Sequence, residues 1–197
     1  MGWRQDSNPA IDPASVAPSI GLIETASVAV GIESCDAVLK RAEVNLVFSE
    51  TVQSGKYVFL FTGPTDEVRY GLEAGMETAG GDVLDSLFVP DLFPQVSEAI
   101  AGRRAVTAGS VGVVETRTVA SCVAAADVAC KSASVELIEV RLANGLGGKS
   151  YLTVTGDVAD VRSAVEAGAD CARARGHLVA DVVIPAPHPG LVPHLTD

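Results

Sequence analysis

The chain has 197 residues, 48% of them hydrophobic but only 5% aromatic, and its formal net charge at pH 7 is −11. This acidic balance, without a run of Lys or Arg, argues against nucleic acid or an anionic membrane as a partner. No apolar run approaches the roughly 20 residues of a membrane helix, and no hydrophobic signal core opens the chain, so we expect a cytoplasmic protein.

The chain starts with a polar segment, residues 1–19, that contains three prolines and no apolar period, which predicts a flexible N-terminal tail. Ile20–Thr25 then has the pattern of a short strand. A helix follows, because apolar residues recur at helical spacing. We predict that this stripe faces a core: Val28, Ile32, Cys35, Leu39 and Ala42.

A hairpin and a second helix come next. Residues 44–52 and 56–62 are rich in β-branched and aromatic residues and flank Gln53-Ser54-Gly55, which is typical of a hairpin. Thr65 can cap the following helix. Its predicted buried stripe is Val68, Leu72, Gly75 and Ala79, and residues 83–89 form a last strand. This part of the chain therefore has the order β-α-β-β-α-β.

The same pattern is repeated from residue 111 onward. Aligning Gly21 with Gly112 also pairs Glu24 with Glu115, and two extra residues lie in the second hairpin loop. The equivalent stripes are Val119, Val123, Ala126, Cys130 and Ala133, and then Val161, Val165, Gly168 and Ala172. A repeat this long is a whole domain. We predict an α/β (α+β) chain of two tandem ferredoxin-like domains with antiparallel four-stranded sheets, at residues 20–104 and 105–197.

Motifs of common active sites are missing from the sequence. There is no G-x-G-x-x-G, P-loop or nucleophile elbow, and the glycine-rich segment 145–148 is followed by a predicted strand rather than a helix. Glu24 and Glu115, near strand ends, are interpreted as structural hydrogen-bond acceptors or rim charges. The four cysteines lack C-x-x-C spacing and fit buried reduced thiols. We therefore expect no enzyme, no cofactor and no metal site.

Several phrases resemble a known family. The segments IGLIET, LKRAEV and SGKYVFLFTG resemble the bacterial microcompartment shell domain, or BMC domain, and the resemblance covers residues 20–96 and 111–191. The phrases VGVVET, GGK, VTGDVADV and IPAPH are most similar to the tandem-domain shell proteins of propanediol-utilisation compartments.

This resemblance implies a homotrimer, shaped as a pseudohexameric tile, that packs with other microcompartment shell proteins. Its central pore would be lined by the loops between the second and third strands of each domain. The implied pore residues are Val52, Gln53, Ser54, Gly55, Asn144, Gly145, Leu146 and Gly147. The family's edge lysine matches Lys40 and Lys131. Gln53 stands where the propanediol relative has the cysteine that holds an iron–sulfur cluster, so no cluster is expected here.

Three functions remain possible at this point. The leading one is a structural shell protein whose pore passes small polar metabolites of an alcohol, diol or amino-alcohol degrading pathway. A metal-cluster electron-transfer shell protein would need cysteines at the pore axis. A trimeric small-molecule sensor would need a phosphate- or nucleotide-binding loop, since the ferredoxin-like fold serves many functions.

Overall fold

The structure is a computed structural model that describes residues 11–12, 15–102 and 109–196. The first domain contains β1 (Ile20–Thr25), α1 (Val28–Arg41), β2 (Asn45–Val52), β3 (Lys56–Thr62), α2 (Thr65–Ala79) and β4 (Val83–Val89). The second contains β5 (Ser110–Thr116), α4 (Val119–Ser132), β6 (Glu136–Arg141), β7 (Ser150–Gly156), α5 (Val158–Ala174) and β8 (Leu178–Ile184). Helices α3 (Pro94–Ala101) and α6 (Val192–Thr196) follow β4 and β8.

Both sheets have the same topology. Their strand orders are β2-β3-β1-β4 and β6-β7-β5-β8, with every neighbouring pair antiparallel. The first strand of each domain is therefore central, between the third and the fourth. This is the ferredoxin-like arrangement, and it confirms the fold predicted from the repeat. None of the described helices combines the length and apolarity that crossing a membrane requires.

The first helix of each domain starts at a hydroxyl cap. The Ser27 hydroxyl accepts from the Val30 N–H at 3.4 Å, and the Thr118 hydroxyl accepts from the Ser121 N–H at 3.3 Å. Such caps satisfy N–H groups that have no partner inside the helix. Gly75 then lets α2 approach closely, because a Cβ there would lie 2.6 Å from side-chain atoms of both Ile23 and Val38.

The predicted core stripe of α1 is only partly correct. Cys35 is buried, but Ile32 and Leu39 are exposed. Helix α1 packs on its own domain through Gly31, Ser34, Cys35 and Val38 instead. The equivalent stripe of α4 is buried at Val123, Ala126 and Cys130, because α4 packs against β1 and β4 of the first domain as well as against its own sheet. Burial of this apolar stripe thus requires contact with a neighbouring domain.

The predicted flexible tail is packed where the structure describes it. Ile11 and Val16 are buried in a core cluster shared with strands of the first sheet, and the Leu92 N–H donates to the Pro18 carbonyl at 2.7 Å. Two apolar side chains in a proline-rich segment give no period that a sequence pattern can reveal. Residues 1–10 and 13–14, and the predicted domain boundary between residues 104 and 105, lie outside the described residues.

Candidate functional site

The hairpin loops of the two domains differ in length and conformation. The first is a single 3₁₀ turn, Gln53–Gly55, in which Ser54 and Gly55 have φ of 72° and 76°. The second, residues 142–149, contains three glycines with φ between 63° and 83°. Glycine adopts this left-handed region without steric cost, which explains the glycine-rich sequence of the longer loop.

These two loops touch each other. The Gln53 side-chain oxygen accepts from the Gly147 N–H at 2.9 Å, and the Ser54 hydroxyl donates to the Gly147 carbonyl at 3.3 Å. Of the other predicted pore residues, Gly55 and Gly145 are exposed, while Asn144 and Leu146 are half-buried. The groups that meet in this contact are the Gln53 amide, the Ser54 hydroxyl and the Gly147 backbone, all of them uncharged.

Val52 differs from the rest of the predicted pore set. Its side chain is only 8% exposed and belongs to the large core cluster. Val52 is the last residue of β2, where alternate side chains point to opposite faces of the sheet, and it falls on a covered face. Val52 therefore packs in the core at the base of the loop and does not line an opening within this chain.

Lys56, directly after the first loop, joins the two domains. Its Nζ donates to a Glu24 carboxylate oxygen at 2.9 Å and to the carbonyls of Arg117 and Gly148, each at 3.1 Å. Both carbonyls belong to the second domain. The sequence signal for this lysine was its repetition as Lys149, which forms an ion pair with Glu115 in the second domain.

Glu24 is fully buried and completes this contact. Its second carboxylate oxygen accepts from the Val119 N–H at 2.8 Å, at the first residue of α4. A carboxylate is favourable there because the helix dipole places partial positive charge at the N-terminus. Burial raises the pKa of Glu24, although Lys56 and the Val119 N–H act in the opposite direction. Glu24 is therefore a structural hydrogen-bond acceptor, as the sequence analysis expects.

Asp85 in β4 is the centre of a second polar cluster between the domains. One of its carboxylate oxygens accepts from the hydroxyls of Thr118 and Ser121, at 2.6 and 2.7 Å. The other accepts from an Arg175 guanidinium nitrogen at 2.6 Å, and Arg175 also donates to the Ser86 carbonyl at 2.5 Å. Sequence reasoning missed this cluster because it is not repeated: Ala180 occupies the position of Asp85 in β8.

The predicted edge lysines have different surroundings. Lys40 pairs with Asp36 at 2.5 Å, and its side chain is largely exposed. Lys131 pairs with Asp127 at 2.8 Å and also donates to the Asp91 carbonyl in the first domain at 2.5 Å. Lys40 is therefore available for contact with another molecule. Lys131, by contrast, links α4 to the segment after β4 through its hydrogen bond with the Asp91 carbonyl.

The cysteines lie in helices rather than in the hairpin loops. Cys35, Cys122 and Cys130 are buried and Cys171 is half-buried. Burial raises the pKa of the Cys35, Cys122 and Cys171 thiols. Across the described ranges, no group of three or more His, Cys, Asp and Glu side chains is arranged to hold a metal ion.

Comparison with known proteins assigns both domains to the same family. A family model described as the BMC domain matches residues 19–92 and 110–187. The chain is 42% identical over 171 residues to the bacterial microcompartment shell protein PduT of Citrobacter freundii, covering 86% of this chain and 93% of that protein. It is 32% identical over 206 residues to the carboxysome assembly protein CcmO of Synechococcus elongatus, covering 97% and 73%.

Solved structures share this architecture. A crystal structure of a microcompartment protein from Desulfitobacterium hafniense DCB matches with a TM-score of 0.79 and 44% identity, covering 90% of this chain and 99% of that one. The fused permuted hexameric shell protein MSM0275 from the RMM microcompartment matches with a TM-score of 0.59 and 21% identity, covering 79% and 81%. At that identity the second match shows a shared fold alone.

Proposed function

Since this chain belongs to the BMC-domain family of bacterial microcompartment shell proteins, we propose that it forms a homotrimeric, pseudohexameric tile with a central pore. Its relatives are structural proteins of microcompartment shells. We propose that this chain is likewise a shell component without catalysis of its own, and that its contribution to metabolism is selective passage of small molecules.

The contact between the two hairpin loops carries the pore proposal. Gln53 and Ser54 bond to Gly147 of the other domain, so the loops of neighbouring domains lie side by side. A ring of three chains would contain this contact three times, once in each chain, and would gather six loops around one axis. Because the two loop types differ in length, the opening would be three-fold and not six-fold.

The chemistry of the loops favours uncharged solutes. Amide, hydroxyl and backbone groups can replace the hydration of a polar solute without imposing a fixed charge. Such a rim suits neutral or zwitterionic molecules. This is compatible with a shell around enzymes that degrade a small alcohol, diol or amino alcohol, which we retain as the proposed class of pathway.

Cysteine cross-linking tests the pore axis. In Gln53→Cys, three thiols would be brought together, and mild oxidation should yield disulfide-linked chain pairs on a non-reducing gel. Ser163→Cys, an exposed position on α5, is the matched control and should remain uncrosslinked at the same protein concentration. A folded, trimeric Gln53→Cys protein with no more cross-linking than the control would contradict this pore assignment.

The outer rim of the tile is the second part of the proposal. Lys40 is exposed near the end of α1, where a cation also suits the helix dipole, and we propose that it contacts a neighbouring tile. Lys40→Asp should leave the trimer intact and abolish extended sheets in electron micrographs. Arg162→Asp makes the same charge change at an exposed position on α5 and should leave the sheets unchanged. Normal sheets from Lys40→Asp would refute the edge assignment.

A further inference from the structure

The longer hairpin loop contains an asparagine followed directly by a glycine, Asn144 and Gly145. The Leu146 N–H donates to the Ala143 carbonyl at 3.2 Å, so these two residues are the central pair of a β-turn. Gly145 has a φ of 76°, a conformation that glycine adopts without steric cost. The fold therefore presents an Asn-Gly pair in a turn of the second domain.

The groups of this pair that can react with each other are accessible. Gly145 is exposed and Asn144 is half-buried. Within the ranges that the structure describes, neither the Asn144 side-chain amide nor the Gly145 N–H takes part in a hydrogen bond. Since glycine has no Cβ to shield its nitrogen, the Gly145 nitrogen can approach the side-chain carbonyl carbon of Asn144.

The two other asparagines of the chain lack these features. Asn45 begins β2 and is followed by Leu46, whose branched side chain lies beside the nitrogen that would have to attack. Both residues pair with β3, which keeps this backbone extended. Asn8 precedes Pro9, which has no backbone N–H. Asn45 is therefore a matched internal control for Asn144.

We propose that Asn144 is a site of self-modification, at which the side-chain amide is slowly converted to a carboxylate. The Gly145 nitrogen loses its proton to solvent and attacks Cγ of Asn144, forming a new C–N bond. The bond between Cγ and Nδ2 then breaks, and this nitrogen takes up a proton from water and leaves as ammonia. Water next hydrolyses the cyclic imide at either of its two carbonyls. The products are aspartate, with the original backbone, and isoaspartate, whose backbone runs through Cγ.

The conversion changes the charge of the loop that carries Asn144. The Gln53, Ser54 and Gly147 groups that join the two loops are uncharged, and each conversion adds one negative charge to the same loop as Gly147. This consequence, but not the reaction, rests on the proposed pore, where three chains would gather three carboxylates around the axis. Because carboxylate rings favour cations in channels, an aged tile would admit anions less readily than a new one.

Mass spectrometry of the full chain during incubation at mildly alkaline pH tests the reaction. In water labelled with heavy oxygen, each converted chain should gain one labelled oxygen, and peptide mapping should place it at position 144. Both aspartate and isoaspartate should form, and a higher pH should accelerate conversion because the attacking nitrogen must be deprotonated. Asn144→Gln should form no product, since its longer side chain would require a larger ring. Asn45→Gln should convert like the wild type.

Three results of this experiment would overturn the proposal. A folded wild-type chain that keeps its mass while the urea-unfolded chain converts would show that the native loop protects Asn144. Conversion of Asn45 as fast as that of Asn144 would remove the role of the turn. Aspartate without isoaspartate would contradict attack by the Gly145 nitrogen.

A charged thiol reagent measures the consequence separately. Asn144→Asp imitates the converted chain, and in the Gln53→Cys background it should slow labelling by an anionic methanethiosulfonate several-fold without slowing a neutral one. High salt should reduce this difference. Asn45→Asp, at the opposite end of β2 from the loop, is the control and should change neither rate.

The outcomes separate the modification from the pore. Equal effects of Asn144→Asp on both reagents, or none, would overturn the predicted change of charge. A wild-type chain that converts at Asn144, together with a Gln53→Cys variant that forms no cross-link between chains, would confirm the modification and remove the proposed pore.

Discussion

Helices α1 and α4 occupy the same place in two domains of one fold, yet their burial differs. Four of the 14 residues of α1 are buried, against eleven of 14 in α4. The difference follows from the neighbouring elements: α4 packs against β1 and β4 of the first domain, while α1 has no comparable contact with the second sheet among the described residues. In a tandem repeat, an exposed apolar residue whose equivalent is buried therefore indicates a missing partner.

The sheets show the same difference in reverse. The first sheet is covered by α4 at Leu87 and Asp85, whereas the equivalent Val182 and Ala180 of the second sheet are exposed. The polar cluster around Asp85 is not repeated in the second sheet, where Ala180 stands at the equivalent position. Matched substitutions at equivalent positions can therefore separate the effects on folding from the effects on association. Unfolding of the variants is best compared at one fixed protein concentration, because association would otherwise contribute to the apparent stability.

Asp85 and Ala180 give the largest expected contrast. Asp85→Ala leaves Arg175 in the junction without its counterion, and loss of one partner of a largely buried ion pair should lower the free energy of unfolding by about 4 kcal/mol. Ala180→Asp should change it little, because Ala180 is exposed in the single chain. Urea denaturation measures the free energy of unfolding of both variants. Equal destabilisation by both substitutions would contradict the asymmetry.

Leu137 and Leu46 test the apolar part of the comparison. Leu137→Ala removes a fully buried side chain from β6 and should cost about 3 kcal/mol of unfolding free energy, since it leaves a cavity. Leu46→Ala truncates an exposed side chain and should cost less than about 0.5 kcal/mol. Urea midpoints of the two variants decide this. A Leu46→Ala loss as large as that of Leu137→Ala would show that α1 and β2 are already covered within the chain.

Lys56 and Lys149 should differ by a smaller amount. Lys56→Met removes three hydrogen bonds, two of them to carbonyls of the second domain, and should cost about 2 kcal/mol. Lys149→Met removes one half-exposed ion pair and should cost less than about 0.5 kcal/mol in the monomer. Urea midpoints of the two variants measure this difference. Equal losses of stability from the two substitutions would contradict it.

The smallest expected effect concerns pH. Because burial raises the pKa of Glu24 above its ordinary value of 4.5 in the folded chain, its contribution to stability is complete below pH 4.5 and is lost as pH rises through the folded pKa. Glu24→Gln should lack this component, so its free energy of unfolding should change less than that of the parent as pH rises above 4.5. Parallel profiles for Glu24→Gln and the parent would contradict this account.

The fold was predictable because each strand and helix pattern occurs twice, in the same order. The exposure of Ile32 and Leu39 was not, because helical spacing shows that a stripe is apolar but not whether another part of the molecule covers it. The loop contact through Gln53 was only implied by family resemblance. Asp85 and Arg175 could not be paired from sequence, because they lie in different domains, 90 residues apart, and neither is repeated.

The closed ring is the central claim, and native mass spectrometry of the wild-type chain across a concentration series tests it most directly. A head-to-tail contact that closes gives one defined particle, while one that does not close gives open chains of increasing length. The account predicts a single species of three chains, each of 20.2 kDa, at micromolar concentration. A stable monomer, a stable dimer or a ladder of longer oligomers would contradict it.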